Sequence, residues 1–433
     1  MILPKPNAVN DFPNHRGAAR LALAALLVTL LPACQKRDAV SVQAAAAAPP
    51  SQVDASQIAS PQESHSLPRY ELQIAPSDFA ALENDPSSNN TRPATFKANG
   101  KVFAGVKVRV RGSWSRSWPK KSLKILFEHS NPFEGHHSLN LNSGWRDPAF
   151  VREPLAYHVY AACGVPAPQC RMVRLDINGQ FGGVYVQVEQ PEKAFLARIG
   201  MPGGSVYKAV SRGRDADERD LGNDQAYQAS YDKETQKNGG YTELAQFCRE
   251  LESSPDKLDF FNRNIDLEHY VNYLAATVLI QHWDGFNKNH FLVYDGRGSK
   301  KWLVVPWDLD RTFGDHWNWS FQETRLPVLL GTRRQPGITG WNRLEDRFLS
   351  VPSLRAKFLD RLSELLEKEF TPQKLFPVLD QLESEIAVDG VKDRRKWPSS
   401  DPDFHSGIAQ VKAFIEQRRA YLVREVARLR DGA

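Results

Sequence analysis

The run His282-Trp-Asp284-Gly-Phe-Asn287-Lys-Asn289-His290 leads through an apolar strand, the turn Asp295-Gly-Arg-Gly298 and a second strand to Pro306-Trp-Asp308-Leu-Asp310-Arg-Thr-Phe-Gly314. Asp284 and Asn289 stand too far apart for one helical turn, but a loop containing Gly285 can fold both side chains toward one point. Phe291 to Tyr294 and Trp302 to Val305, closed around Gly296 and Gly298, predict a hairpin that carries Asp308 back beside Asn289. An Asp that orients an attacking hydroxyl, an Asn that holds a metal and a second acid delivered by a hairpin are the parts of a phosphoryl-transfer site, in their usual order. The spacing His-x-Asp-x4-Asn with a returning Asp is that of a kinase catalytic loop. The plainer reading of the same residues is a hairpin with acidic turn residues and a helix-capping Asp284.

Upstream, Tyr70 to Ile74, Thr95 to Phe103 around Asn99-Gly100, and Val106 to Arg111 alternate as strands, with a short helix near Ser77 to Asn84 capped by Ser77. Gly112-Ser113-Trp-Ser-Arg116-Ser is a Gly- and hydroxyl-rich turn between strands, where backbone N–H groups can cover phosphates, though it lacks the Gly-x-Gly-x-x-Gly pattern. In the strand Lys121 to Phe127, period two sends Leu123, Ile125 and Phe127 to one face and Lys124 to the other, with Lys120 and Lys121 at its mouth. Arg111, Lys121 and Lys124 converging on one loop need an anion to offset their repulsion. Asp147-Pro148 predicts a helix to about Ala162 that Pro154 should kink, with Glu153 either a first-turn charge or a partner for Lys124. Met172 to Ile177, the Asn178-Gly179 turn and Val184 to Val188 form a hairpin ending at Glu189-Gln190-Pro191, where a kinase hinge would lie and Glu189 would be a positioning residue. Lys208, after Gly203-Gly204, either reaches a phosphate or sits on the surface. Residues 211–240 are highly charged and predict a mobile insertion, and Leu267 to Gln281, bounded by Asp266, predicts the buried helix that delivers His282 and Asp284. Further helices are expected at Thr242 to Glu252, Leu354 to Glu369, Gln373 to Val388 and Ile408 to Leu429.

The runs Asp284 to Asn289, Pro306 to Gly314, Arg109-Val-Arg111-Gly112-Ser-Trp-Ser-Arg116 with Lys120-Lys121-Ser122-Leu-Lys124, and Gly183-Val-Tyr185-Val-Gln-Val-Glu189 resemble the CotH family of spore-coat protein H kinases, over about residues 67 to 430. The resemblance implies an α+β, atypical protein-kinase-like two-lobed fold, with a β-rich N-lobe over 67–190 and a helical C-lobe over 191–433. It implies ATP and a divalent metal, Mg2+ or Mn2+, used to phosphorylate Ser or Thr of secreted or surface proteins. On this reading Asp284 handles the hydroxyl proton, Asn289, Asp308 and Asp310 hold the metal, and Lys124 grips phosphate with Arg111, Ser113, Arg116, Lys121 and Lys208 around the nucleotide. Asp308-Leu-Asp310 stands where ordinary kinases have Asp-Phe-Gly, so either aspartate can be the main ligand.

A composition of 41% apolar residues supports a large core, and the formal charge of +5 with no basic stripe beyond Lys392 to Trp397, read as a solvated loop, gives no case for nucleic acid. Residues 1–33 read as an export signal: Arg16 and Arg20, the apolar stretch Leu21 to Leu31, then Leu31-Pro-Ala-Cys34. That ending resembles a bacterial lipobox, which implies lipidation of Cys34, a membrane contact through the anchor only and, with Gln35 next, an outer-membrane envelope location. Residues 34–66 are an Ala, Pro, Gln and Ser tract read as a flexible tether. Cys163 and Cys170 are spaced for a small-loop disulfide or stand as buried thiols. Two other functions use the same residues: a metal-dependent glycan hydrolase with Asp284 and Asp308 as a carboxylate pair beside exposed Trp317 and Trp319, and a binding protein on a kinase-like scaffold without turnover.

Overall fold

Seven strands with alternating apolar residues close on one another into a barrel: β1 (Arg69–Ile74), β2 (Arg92–Ala98), β3 (Lys101–Val110), β4 (Leu123–Leu126), β5 (Ser138–Asn142), β6 (Cys170–Ile177) and β7 (Gln180–Val188). Their order is β1-β2-β3-β4-β5-β7-β6, and a parallel pairing of β6 with β1 completes the ring. The computed structural model describes residues 67–210, 212–315, 323–329, 342–399 and 403–431. Cys34, the leader, the tether, Trp317 and Trp319 lie outside the described residues. Asn99-Gly100 and Asn178-Gly179 all take positive φ, between 51° and 77°, the paired left-handed geometry that suits tight hairpin turns. Leu123, Ile125, Leu141, Val173 and Tyr185 fill the barrel, so period two puts Lys124 on its outside, in register with Asn140 and Arg109.

Two helices interrupt the strands. The helix α1 (Pro76–Asn84) starts with Pro at its first turn and no side-chain cap, so Ser77 does not have the expected role. The helix α2 (Arg152–Ala162) starts later than expected because Phe150 turns the chain at φ 61°, while the Asp147 carboxylate accepts from the Arg152 backbone N–H at 2.8 Å and from its guanidinium at 2.6 Å. Pro154 therefore falls in the first turn, where its missing N–H removes no helical bond, and the reason for a kink disappears.

The remainder of the chain is not purely helical. An antiparallel sheet of order β11-β10-β8-β9, with β8 (Ser205–Ala209), β9 (Tyr231–Lys233), β10 (His290–Tyr294) and β11 (Trp302–Pro306), packs among α3 (Lys193–Arg198), α4 (Asp224–Ser230), α5 (Thr242–Ser253), α6 (Lys257–Asn264), α7 (Leu267–Ile280), α8 (Arg343–Leu349), α9 (Pro352–Lys368), α10 (Pro372–Lys396) and α11 (Phe404–Arg430). The helix α7 is capped by the Asp266 side chain on the His269 N–H at 3.1 Å, is buried from His269 to Ile280 and ends at Gln281 with φ 54°, as its apolar run predicts.

The stretch Lys392 to Trp397 is the end of α10 rather than a solvated loop. Its Asp393 is buried and accepts from Lys120 Nζ at 2.6 Å and from the Val184 N–H at 2.7 Å, while Arg394 lies 4.0 Å from the Phe150 ring centre and donates to the carbonyls of Gly144, Trp145 and Asp147. This seam joins α10 to the barrel. Of the segment 211–240, the described residues 212–240 likewise depart from the insertion expected of them: they hold α4 and β9, and Ala216 donates its N–H to the Asn287 carbonyl at 2.9 Å. Cys163 and Cys170 are free thiols.

Candidate active site

The ladder between β10 and β11 pairs His290 with Pro306, and one step further the Trp307 N–H donates to the Asn289 carbonyl at 3.1 Å. The hairpin thus returns Asp308 beside Asn289, as the spacing requires. Asn289 and Asp308 both sit at left-handed φ, 59° and 57°, a conformation that costs a side chain energy and that collects at functional loops. Asp284 lies in a short 3₁₀ turn, Trp283–Gly285, mostly buried, and accepts from Asn289 Nδ2 at 2.9 Å and Lys288 Nζ at 3.1 Å.

Burial raises the Asp284 carboxyl above the usual range, Lys288 opposes that rise and the charge of Asp308 adds to it. Asp310 is pushed up by burial and then by Asp308 and Glu153. Glu153 is raised to about 8, first by burial and next by Asp308, with Asn142 Nδ2 donating to its two carboxylate oxygens at 2.8 and 2.9 Å. Glu153 therefore faces the acidic cluster and not Lys124, and burial together with the charge of Asp308 favours its protonated form.

A cationic half faces these acids. The Arg111 guanidinium lies 5.6 Å and Lys208 Nζ 5.3 Å from the Trp307 ring centre, so the indole seats two cations one residue away from Asp308. Lys124 donates to Gln190 Oε1 at 3.2 Å, and burial with Arg111 and Arg109 nearby lowers it to about 8 although Glu234 and Glu192 pull it up. Lys208 is lowered by burial and by Arg111, against Asp308. Among the described residues none of Arg111, Lys124 and Lys208 makes an ion pair, and Arg111 crowds both lysines.

The remaining residues singled out in the sequence are engaged elsewhere. Arg116 clamps its loop to the segment before β2, donating to the carbonyls of Gly112 at 2.7 Å, Ser87 at 2.5 Å and Ser88 at 3.2 Å and to Asn89 Oδ1 at 2.7 Å. Lys121 donates to the carbonyls of Arg116 at 2.9 Å and Trp118 at 2.6 Å, and Ser113 is exposed at the start of the turn. Gly112, at φ 105°, is required, because a Cβ there would meet Ser115 Oγ. Glu189 accepts from the Gln169 N–H at 2.9 Å and from Arg198 at 2.5 Å and lines a cavity of about 300 Å³ with Phe133, His136 and Ser138, on the side of β7 away from Lys124. Sequence reading missed Lys288, Gln190 and Trp307 as contributors. Trp307 carried a signal, since it alternates with Pro306 and Asp308 at the end of a strand, but nothing in the chain announces Gln190 over its neighbour Glu189.

The donors near Asp308 are all oxygens, with Asp310 close by and Asn289 Oδ1 accepting no hydrogen bond among the described residues while Nδ2 is held by Asp284. No three His, Cys, Asp or Glu side chains among the described residues converge to hold a metal by themselves. The set fits a hard cation that shares its coordination with water and phosphate, as Mg2+ does, better than a metal caged by protein alone.

Residues 108–422 match the family described as CotH kinase protein, and the chain belongs to that family. It is 26% identical to the inner spore coat protein H of Bacillus subtilis over 72% of this chain and 84% of that protein. It is 25% identical to invasin CotH2 of Rhizopus delemar over 67% of this chain and 51% of the invasin. Among solved structures, the Helicobacter pylori proinflammatory kinase CtkA overlaps 79% of this chain and 93% of its own at 9% identity, with a TM-score of 0.29.

Proposed function

We propose that this chain is a protein kinase that moves the γ-phosphoryl group of ATP to a Ser or Thr hydroxyl of a protein in the cell envelope. The observation that carries the reading is the meeting, at Trp307 and Asp308, of Arg111 and Lys208, with Lys124 beside Arg111 and none of the three in an ion pair among the described residues, and a carboxylate cluster in which burial and the charge of Asp308 raise Glu153 and Asp310. A polyphosphate with its divalent cation answers both halves at once.

Arg111, Lys124 and Lys208 neutralise the phosphate oxygens, and Gln190 and the backbone after β7 orient the nucleotide. Asn289, Asp308 and Asp310 would hold Mg2+ or Mn2+, which supplies charge neutralisation on the phosphates. Asp284 receives the hydroxyl proton as the new O–P bond forms and the bond to the β-phosphate oxygen breaks, releasing ADP. Its raised pKa suits a proton acceptor, and the ion pair with Lys288 favours the ionised form that can take the proton. The export signal and Cys34 support a lipid-anchored envelope location for this activity.

The test is a thermal shift with ATP plus Mg2+ or Mn2+, followed by phosphoryl transfer to a casein-like acceptor. Asp308→Ala is expected to lose on the order of 10³-fold in kcat, the loss typical of a preorganised electrostatic group. Its melting temperature should change little, because the relief among crowded carboxylates is offset by putting Ala at the left-handed φ of residue 308. Equal labelling by the variant and the natural protein would sink the proposal.

A further inference from the structure

The loop from Gly285 to Lys288 presents four consecutive carbonyls, and each accepts a hydrogen bond from a side chain or N–H outside the loop. His290 Nδ1 lies 2.9 Å from the Gly285 carbonyl and 3.1 Å from that of Lys288. Asn342 Nδ2 donates to the Phe286 carbonyl at 2.9 Å, and the Ala216 N–H donates to the Asn287 carbonyl at 2.9 Å. Two carbonyl neighbours require a proton on Nδ1. The opposite nitrogen, Nε2, lies 2.9 Å from Glu218 Oε1, so the His290 ring bridges a carboxylate and the loop.

Glu218 is itself held from all sides. Its Oε1 accepts from the Tyr231 hydroxyl at 3.1 Å, its Oε2 accepts from Asn342, and its own N–H donates to that hydroxyl at 3.1 Å. Both Glu218 and His290 are 1% exposed. The network reaches neither the Trp307 cations nor Asp308, and the mechanism above uses none of it. It touches the site only through the loop backbone that carries Asp284 at one end and Asn289 at the other.

We infer that Glu218 and His290 are positioning residues, which fix the distance between Asp284 and Asn289 by bonding the carbonyls between them. The charged segment around Glu218 acts as a strut behind the reaction loop. This rests on the kinase reading for its effect on rate, but not for its effect on loop structure. A displacement of about 1 Å at such a loop costs on the order of 10²-fold in rate, so the strut need only move the loop slightly to matter.

Two substitutions at one position separate the arms of the ring. His290→Asn places an amide N–H near Nδ1 and loses the contact with Glu218, whereas His290→Gln keeps a polar atom near Nε2 and loses the donor to the loop. In the full chain, His290→Gln should lower kcat about 10²-fold and His290→Asn by less than about 10-fold, with ATP affinity in both within about 2-fold of the natural protein. Hydrogen exchange of the 282–290 peptide should be fastest in His290→Gln. If neither His290 variant folds, Asn342→Ser keeps a capping oxygen for α8 while deleting the donor to Phe286, and should loosen the same peptide. Natural-level exchange over 282–290 in His290→Gln, or equal kcat losses in the two His290 variants, overturns the inference. If the natural protein transfers no phosphoryl group but exchange follows the stated order, the kinase reading falls and the strut stands.

Discussion

Two charged stretches of this chain look equally chemical in sequence and are put to different uses. From Arg111 to Lys124 there are five cations within one loop and strand, yet Lys120 is fully buried against Asp393, and Arg116 and Lys121 bind carbonyls of their own neighbourhood. Of these five, only Arg111 and Lys124 are left without an ion pair or a backbone carbonyl among the described residues: Arg111 lies over Trp307 and lowers the Glu153 pKa, and Lys124 bonds Gln190 beside it. From Asp284 to Asp310, by contrast, the residues picked out by spacing are the ones that meet. The difference lies in how each partner is specified. A hairpin fixes by register which residues come together, so Asp308 must return beside Asn289. A lysine's partner can sit anywhere in the chain, and the partner of Lys120 is Asp393, on α10.

The hardest test of that contrast is Lys120→Met. It leaves Asp393 buried without its cation, and breaking a buried pair in this way costs about 3–5 kcal/mol. The variant should unfold at markedly lower denaturant, while the folded fraction keeps its affinity for ATP. Lys120→Met with Asp393→Leu should recover part of the stability, since an apolar pair replaces the ions while the Val184 N–H and carbonyl lose their side-chain partners. A natural melting temperature with lost ATP binding would reverse the assignment and make Lys120 the phosphate lysine.

What the sequence made legible follows the same division. Strand alternation put Lys124 on the face opposite Leu123, Ile125 and Phe127, the Asn-Gly pairs placed two turns, and the apolar run from Leu267 placed the buried helix. Barrel closure was not legible, because the pairing of β6 with β1 joins strands about a hundred residues apart and leaves no local mark. Neither was the strut, since Glu218 lies among Asp215, Asp217, Arg219 and Asp220 and reads as one more solvated charge. The α10 seam was hidden in the same way behind Lys392, Arg394 and Arg395.

Lys124 sharpens the comparison through pH. Its amine is lowered to about 8 in the free protein, so its charge is present below that value and lost as pH rises through it. kcat/KM for ATP reports the free protein and should fall about tenfold per unit above pH 8. Bound phosphates raise the amine again, so kcat should stay flatter over the same range. Glu153 titrates in the same window and adds negative charge beside Asp308 as pH rises. Lys124→Arg separates the two, because guanidinium does not titrate there. The bend that survives in that variant belongs to Glu153, and a bend unchanged in size would remove Lys124 from the phosphate site.

The smallest effect discriminates between neighbours on one loop. Arg116 spends its donors on Gly112, Ser87, Ser88 and Asn89, whereas the described contact of the Arg111 guanidinium is the face of Trp307. A charge-assisted bond to phosphate contributes about 1.5–3 kcal/mol, so Arg111→Ala should raise KM for ATP by about tenfold or more. Arg116→Ala removes loop bonds that water can replace at a half-buried site, and KM should change by no more than about 3-fold. If Arg116→Ala matched Arg111→Ala, the clamp would have to open when nucleotide binds and turn its guanidinium to the phosphates. The rule that an arginine already bonded to backbone carbonyls is out of play would then fail for this loop, and Lys121, bonded in the same manner, would have to be counted among the phosphate ligands again.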